Sequence, residues 1–247
     1  MRIGIGAGRD IGKVMASAAA VGEGIQVLCY TTGEHAGGLS DERLRISENP
    51  GESLVKALMD GEIDAAVRGS LPANETLRAL KAAAGVDRLL RIAVLSTRKG
   101  RRFLLAPVGV DEGWTVAEKV ELVGRGRDLA ARFGLPREVA VLSGGRLGDL
   151  GRHPAVDRTL ADAELVARLT GATHREILIE EAIRSAGMIL APDGISGNLI
   201  FRTLVHLGEG EPHGAPVVNI GRIFVDSSRA SPDYANALVT ASRLAEK

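Results

Sequence analysis

The residues best equipped for chemistry lie in the last quarter of the chain, in two strand–turn–helix passages. They are Ala191-Pro-Asp-Gly-Ile-Ser-Gly-Asn-Leu-Ile-Phe-Arg-Thr-Leu204 and Val225-Asp-Ser-Ser-Arg-Ala-Ser-Pro-Asp-Tyr-Ala-Asn236. In the first, 188–191 reads as a short buried strand and Asp193-Gly194 as a turn. Gly197-Asn198 then opens a helix over 197–207 with Ser196 as its cap. Such a helix start offers free N–H groups to an anion. In the second, a strand over 223–225 leads into Asp226-Ser227-Ser228-Arg229. Arg229 is a fixed cation with a planar fork of donors, suited to phosphate or carboxylate, and Ser228 offers a hydroxyl beside it. Asp233 can take a proton, and Ser231-Pro232 predicts the start of a last helix. Each residue has a plainer reading: Asp193 as a turn residue, and Ser228 and Arg229 as a solvated cap region. The joint occurrence of Ser228, Arg229, Asp233 and Asn236 favours a site.

Two further loops carry charge where open parallel sheets bind ligands. Arg68-Gly-Ser70 follows an expected strand over 63–67, at its carboxyl end, where Arg68 and Ser70 can meet an anion. The loop Ser143-Gly-Gly-Arg-Leu-Gly-Asp-Leu-Gly-Arg152 sets Arg146, Asp149 and Arg152 among glycines, so that backbone and guanidinium groups can approach a ligand together. Gly4-Ile-Gly-Ala-Gly8 is not a full dinucleotide fingerprint, and Thr31-Thr32-Gly33 follows the second strand where an acid is expected. A tight strand-to-helix turn is the better reading there. The five histidines show no metal-ligand spacing and are read as surface or capping residues. Cys29 is alone in an apolar run and reads as core.

The elements that must position these residues alternate. Strand-like runs at 2–6, 25–30, 63–67, 91–95, 103–107, 139–142, 188–191, 217–220 and 223–225 are separated by helix-like runs, the pattern of a parallel sheet with crossover helices. The helices are expected near 11–21, 50–60, 74–84, 115–133, 155–170, 175–186, 197–207 and 232–246. Aromatic residues make up 3% of the chain, so its core must be aliphatic, as suits buried parallel strands. That composition offers no stacking platform for nucleic acid. With 31 basic and 31 acidic residues the formal charge is zero, which gives no global field for a polyanion or an anionic membrane. No apolar stretch reaches the ~18 residues of a membrane span. A cytoplasmic protein acting on a small anionic metabolite, with neither nucleic acid nor membrane as partner, is the expectation.

Pro192, Asp193, Gly197 and Asn198, followed by Asp226, Ser228, Arg229, Asp233 and Asn236, resemble the C-terminal signature of the phosphate acetyl/butyryl transferases and of the acyl-phosphate synthase PlsX. The likeness runs back thinly through Gly61–Ser70 and Val139–Ser143. The loop 143–152 departs from the Ser-Thr-Lys-Gly-Ser type of those enzymes. It is similar instead to a methanogen family, the methanogenesis marker proteins called methyltransferase-related subunit X (MtxX). The resemblance implies an α/β protein of two three-layer α/β/α lobes with mostly parallel sheets about a central cleft, paired as a homodimer. It implies a first lobe of 1–97 plus 218–247 and a second of 98–217. It also implies that Arg229 holds phosphoryl or carbonyl oxygens, Ser228 donates to developing charge and Asp233 acts as base toward a thiol. No tightly bound cofactor is expected, with coenzyme A as a possible co-substrate. A methyl-transfer component, or a non-catalytic protein that keeps the anion site, stays open as an alternative.

Overall fold

The computed structural model describes residues 1–22, 24–228 and 231–246. The chain divides into two compact units, Met1–Leu89 with Pro212–Lys247, and Leu90–Glu211. The divisions thus fall several residues before the expected 97/98 and 217/218. The reason is local: the strand at 93–96 pairs antiparallel with the one at 102–106 and belongs to the second unit's sheet.

The first unit contains β1 (Arg2–Gly6), α1 (Ile11–Ala19), β2 (Gln26–Thr31), α2 (Gly33–Ala36), β3 (Leu44–Ile46), α3 (Pro50–Met59), β4 (Ala65–Val67) and α4 (Ala73–Ala84). The second contains β5 (Ala93–Ser96), β6 (Arg102–Ala106), α5 (Val116–Arg132), β7 (Val139–Val141), a 3₁₀ turn (Leu147–Asp149), α6 (Pro154–Thr170), β8 (Thr173–His174), α7 (Ile179–Ser185), β9 (Met188–Leu190) and α8 (Gly194–His206). After β10 (Glu211–Pro212), the chain completes the first unit with β11 (Ala215–Pro216), β12 (Ile223–Asp226) and α9 (Ala235–Ala245).

The first sheet has the order β11-β12-β4-β1-β2-β3, parallel except for the short β11. Its inner strands β12, β4, β1 and β2 are buried on both faces, so they carry nearly continuous apolar runs rather than an alternating pattern. Ala66 and Phe224 face Leu54, Leu58 and Leu80 of α3 and α4 in one core cluster. Their neighbours Ala65, Val67 and Val225 point the other way by the two-residue period, to the face that α9 covers. The second sheet has the order β10-β5-β6-β9-β7-β8, with β6, β9, β7 and β8 parallel and α5 and α6 packed on it.

Several boundaries differ from expectation for identifiable reasons. Of the expected strand at 217–220 only Val217 is paired, its N–H donating to the Phe224 carbonyl (2.8 Å) as an extension of β11, and the chain bends after it. Helix α8 begins three residues early because Asp193, not Ser196, is its cap. Helix α9 begins late, at Ala235, since Asp233 accepts the Ala235 N–H (3.0 Å) and ends the Ser231–Asp233 turn. Short β3 and β8 lack the length that a periodic pattern needs to stand out.

Candidate functional site

In the first unit the sequence-predicted residues gather at the carboxyl ends of three adjacent parallel strands, β12, β4 and β1. Arg68 leaves β4 with its side chain only 5% exposed. Its guanidinium donates to the Asp226 carboxylate, to the Leu71 carbonyl (2.6 Å) and to the Ser227 carbonyl. Ser227 Oγ donates in turn to the Gly69 carbonyl (3.0 Å). A guanidinium so occupied is not an open clamp for a ligand. It neutralises a buried carboxylate and fixes the chain as it leaves β12.

Ser70 has a comparable role: Gly8 N–H donates to its Oγ (2.8 Å), and its own N–H donates to the Gly6 carbonyl (3.1 Å). The glycine turn after β1 is therefore a packing device, as expected. Gly69, at φ 61°, lies so close to the Gly6 carbonyl that no side chain fits there. Ser228 is half-buried at the mouth of this edge, and Asp233 and Asn236 are exposed. Arg229 lies outside the described residues. Beyond it, Lys13 Nζ donates to the Ser231 carbonyl (2.9 Å) and stands 5.1 Å from the Tyr234 ring. Tyr234 N–H donates to Ser17 Oγ (2.9 Å). The segment bearing Ser228 and Asp233 is thus pinned at both ends, by Arg68 and by α1.

The second unit holds the other predicted residues in two separate structures. Asp193 caps α8, accepting from the Ser196 N–H (2.8 Å) and hydroxyl (3.2 Å). Gly194 and Gly197 let the first turns of α8 lie against the carbonyls of Gly109 and Pro107, where a Cβ would collide with backbone. Asn198 Nδ2 donates to the Val108 carbonyl (2.9 Å). Asp193, Gly197 and Asn198 thus dock a helix onto the loop after β6. That loop is stiffened by Glu112, which accepts from Arg91 Nε (2.5 Å). Burial pushes the Glu112 carboxyl up in spite of this arginine.

In the loop after β7, Asp149 accepts from the Arg146 N–H (2.8 Å) and from Arg152 (2.6 Å). These bonds, the Arg146 N–H first, hold its carboxyl below the usual carboxylate range. The guanidinium of Arg152 is turned to Asp149, and its side chain is 75% exposed, so this arginine is held in a surface pair. Ser143 is buried. Its Oγ lies 2.8 Å from the Gly145 carbonyl and 2.9 Å from His174 Nε2, and His174 Nδ1 lies 2.7 Å from the Glu164 carboxylate. His174, expected at the surface or as a cap, is instead an interior group, its side chain 6% exposed. Pairing of Val141 with His174 in the parallel β7–β8 ladder brings it beside Ser143. Next to it, Glu176 sits at φ 54°, a strained backbone that costs on the order of 1–3 kcal/mol. It is held there as its carbonyl accepts the Ser143 N–H (2.9 Å) and its carboxylate the Leu147 N–H (2.7 Å).

Elsewhere in the first unit, a hollow of about 360 Å³ is lined by Tyr30, Arg45, Ser47, Ser53, Lys56 and Glu62, none of them predicted. Its cations do not converge: Lys56 pairs with Asp60, and Arg45 bonds the Glu42 and Leu44 carbonyls. Among the described residues no cluster of three or more His, Cys, Asp or Glu can hold a metal ion, and no helix is long and apolar enough to cross a membrane.

No family model matches the chain. Curated relatives do. A Methanosarcina acetivorans protein called "Putative methyltransferase mtx subunit X" is 48% identical over 203 residues, covering 80% of this chain and 72% of its own. The chain belongs to the mtx subunit X family. A Methanopyrus kandleri protein named as an uncharacterized methyltransferase is 44% identical over 214 residues, covering 81% of this chain and 82% of its own. Among solved structures, a branched-chain phosphotransacylase from Enterococcus faecalis aligns over 100% of this chain and 99% of its own with a TM-score of 0.78 at 16% identity. A phosphotransacetylase from Streptococcus pyogenes aligns over 99% and 94% with a TM-score of 0.71 at 17% identity. This chain therefore has the phosphotransacetylase-like fold.

Proposed function

We propose that this protein is a small-molecule transferase of the phosphate acyltransferase type, acting on an anionic acyl phosphate or thioester substrate, with coenzyme A as the possible thiol partner. The observation that carries the reading is the fixed edge at the carboxyl ends of β12, β4 and β1. There Asp226 and Arg68 anchor the start of a segment whose sequence carries Ser228, Arg229, Asp233 and Asn236 in the order of the resembled acyltransferases. In this reading Arg229 neutralises the phosphoryl or carbonyl oxygens, and Ser228 donates to the charge that develops on the carbonyl oxygen. Asp233, exposed and close to the helix start, accepts the proton of the attacking thiol. Substrate alignment supplies the remainder of the barrier lowering. Arg68, Ser70, Asp193, Gly197 and Asn198 act through architecture, and Arg146, Asp149 and Arg152 form an accessory anion-facing loop. The protein is proposed to work in the cytoplasm as a homodimer.

The relatives' names favour a second reading, methyl transfer in methanogenesis. A thermal-shift screen separates the two, because a ligand that prefers the native state raises its stability by about 2.7 kcal/mol at a concentration about 100-fold above Kd. The panel is acetyl, propionyl and butyryl phosphate, coenzyme A, inorganic phosphate, adenosylmethionine and a corrinoid. Stabilisation by an acyl phosphate or coenzyme A supports acyl transfer. Stabilisation by adenosylmethionine or the corrinoid alone replaces it with methyl transfer.

A further inference from the structure

Ser143, His174 and Glu164 make a hydrogen-bonded series that the proposed acyl-transfer chemistry at the C-terminal segment does not use. A hydroxyl 2.9 Å from an imidazole nitrogen, whose other nitrogen is 2.7 Å from a carboxylate, is the arrangement that activates a serine for covalent catalysis. We propose that Ser143 is an acyl-accepting nucleophile, with His174 as its general base and Glu164 as the residue that positions the imidazole, acting on activated acyl compounds such as esters, thioesters and acyl phosphates.

The placement fits this role. Ser143 follows β7 at the carboxyl end of a parallel sheet, and His174 stands on the adjacent strand β8. Glu164 comes from α6, which packs on both strands. Exposure rises along the series, from 1% for Ser143 and 6% for the His174 side chain to 58% for the Glu164 side chain. The far carboxylate is exposed, and a carboxylate 2.7 Å from Nδ1 favours the imidazole tautomer that carries its proton there. That leaves the Nε2 lone pair facing the serine hydroxyl. The hydroxyl has one hydrogen and two acceptors within reach, His174 Nε2 and the Gly145 carbonyl, so donating to the imidazole frees the Gly145 carbonyl from the serine. The hydroxyl lies beneath a loop whose residues Gly144, Arg146, Leu147 and Gly148 are exposed. Gly145, whose carbonyl lies 2.8 Å from the hydroxyl, is buried in the same turn.

The step balances without a co-reactant. The Ser143 Oγ–carbonyl carbon bond forms while the bond from that carbon to the leaving oxygen or sulfur breaks. The hydroxyl proton passes to His174 Nε2 and then to the leaving group. Water or a thiol next attacks the serine ester, and its proton passes through His174 back to Ser143 Oγ.

The test uses p-nitrophenyl acetate on the full chain, with nitrophenolate release followed by absorbance and the acetyl group located by peptide mass spectrometry. The reagent carries no phosphate, so the outcome is independent of the acyl phosphate reading at Ser228, Arg229 and Asp233. The expected result is an initial burst with the acetyl group on Ser143, absent in Ser143→Ala. In His174→Asn the acetylation rate should fall on the order of 10²-fold or more. Glu164→Gln should lower it less, with a shifted pH profile that a merely structural role would not give. Melting curves establish that each variant folds. Acetylation confined to other residues, no acetylation at all, or labelling of Ser143 at an unchanged rate in a folded His174→Asn variant would overturn the proposal.

Discussion

The segment 226–236 of the first unit and the loop 143–152 of the second are both rich in charge and hydroxyl groups, yet they use them differently. Around Asp226 the charges face inward: Arg68 is buried, and its donors go to a carboxylate and two carbonyls. In the loop after β7 the charges face outward. Arg152 and Asp149 form an exposed pair over a buried serine that is bonded to an imidazole. The contrast teaches that a motif arginine at a strand end can be architecture, while the residues able to move a proton can lie beneath a loop whose charges drew attention first.

Four substitutions or titrations can break or sharpen this contrast. The largest effect is expected for Arg68→Ala, which takes the guanidinium from the buried Asp226 carboxylate and should cost about 3–5 kcal/mol in denaturant unfolding. A loss under 1 kcal/mol would mean that Arg68 is free for a ligand after all. Gly197→Ala drives a methyl group into the Pro107 carbonyl and should cost about 1–3 kcal/mol. An unaltered melting point would show that α8 does not need that close approach.

The interior of the first unit supplies a pH test. Burial pushes the Cys29 thiol from 9.0 up to about 12. The unfolded chain ionises first, so its stabilising effect is complete below about pH 9 and is lost as pH rises toward 12. The slope is about 1.4 kcal/mol per pH unit in that window. Cys29→Ala should remove this component of the alkaline slope, measured as the difference between the two proteins' stability–pH curves. The smallest effect is expected for Arg152→Ala, whose exposed pair with Asp149 is worth about 0–1 kcal/mol. If the loop meets anions, phosphate-dependent stabilisation should fall while the ligand-free melting point stays within a few degrees.

Much of the architecture was legible because continuous aliphatic runs such as Ala65–Val67 and Met188–Leu190 can only be buried parallel strands here. The C-terminal motif was legible as residue types in order, but not as roles. Nothing in the spacing tells that Asp193 caps a helix or that Arg68 meets a carboxylate 158 residues away. His174 was missed for a plain reason. Its two-residue strand has no periodic pattern, and its partners stand 31 residues before it and 10 residues before it, joined only by sheet pairing and by α6. Arg229 falls outside the described residues, so its part in the site rests on the sequence.

The most direct test of the proposed transfer is the formation of acyl-coenzyme A from acetyl, propionyl or butyryl phosphate, compared between the wild-type chain and Arg229→Ala. The account predicts turnover by the wild type with at least one of these acyl phosphates, and a loss on the order of 10²-fold or more in the variant. Absence of acyl-coenzyme A with all three, or equal rates for the two proteins, would contradict it.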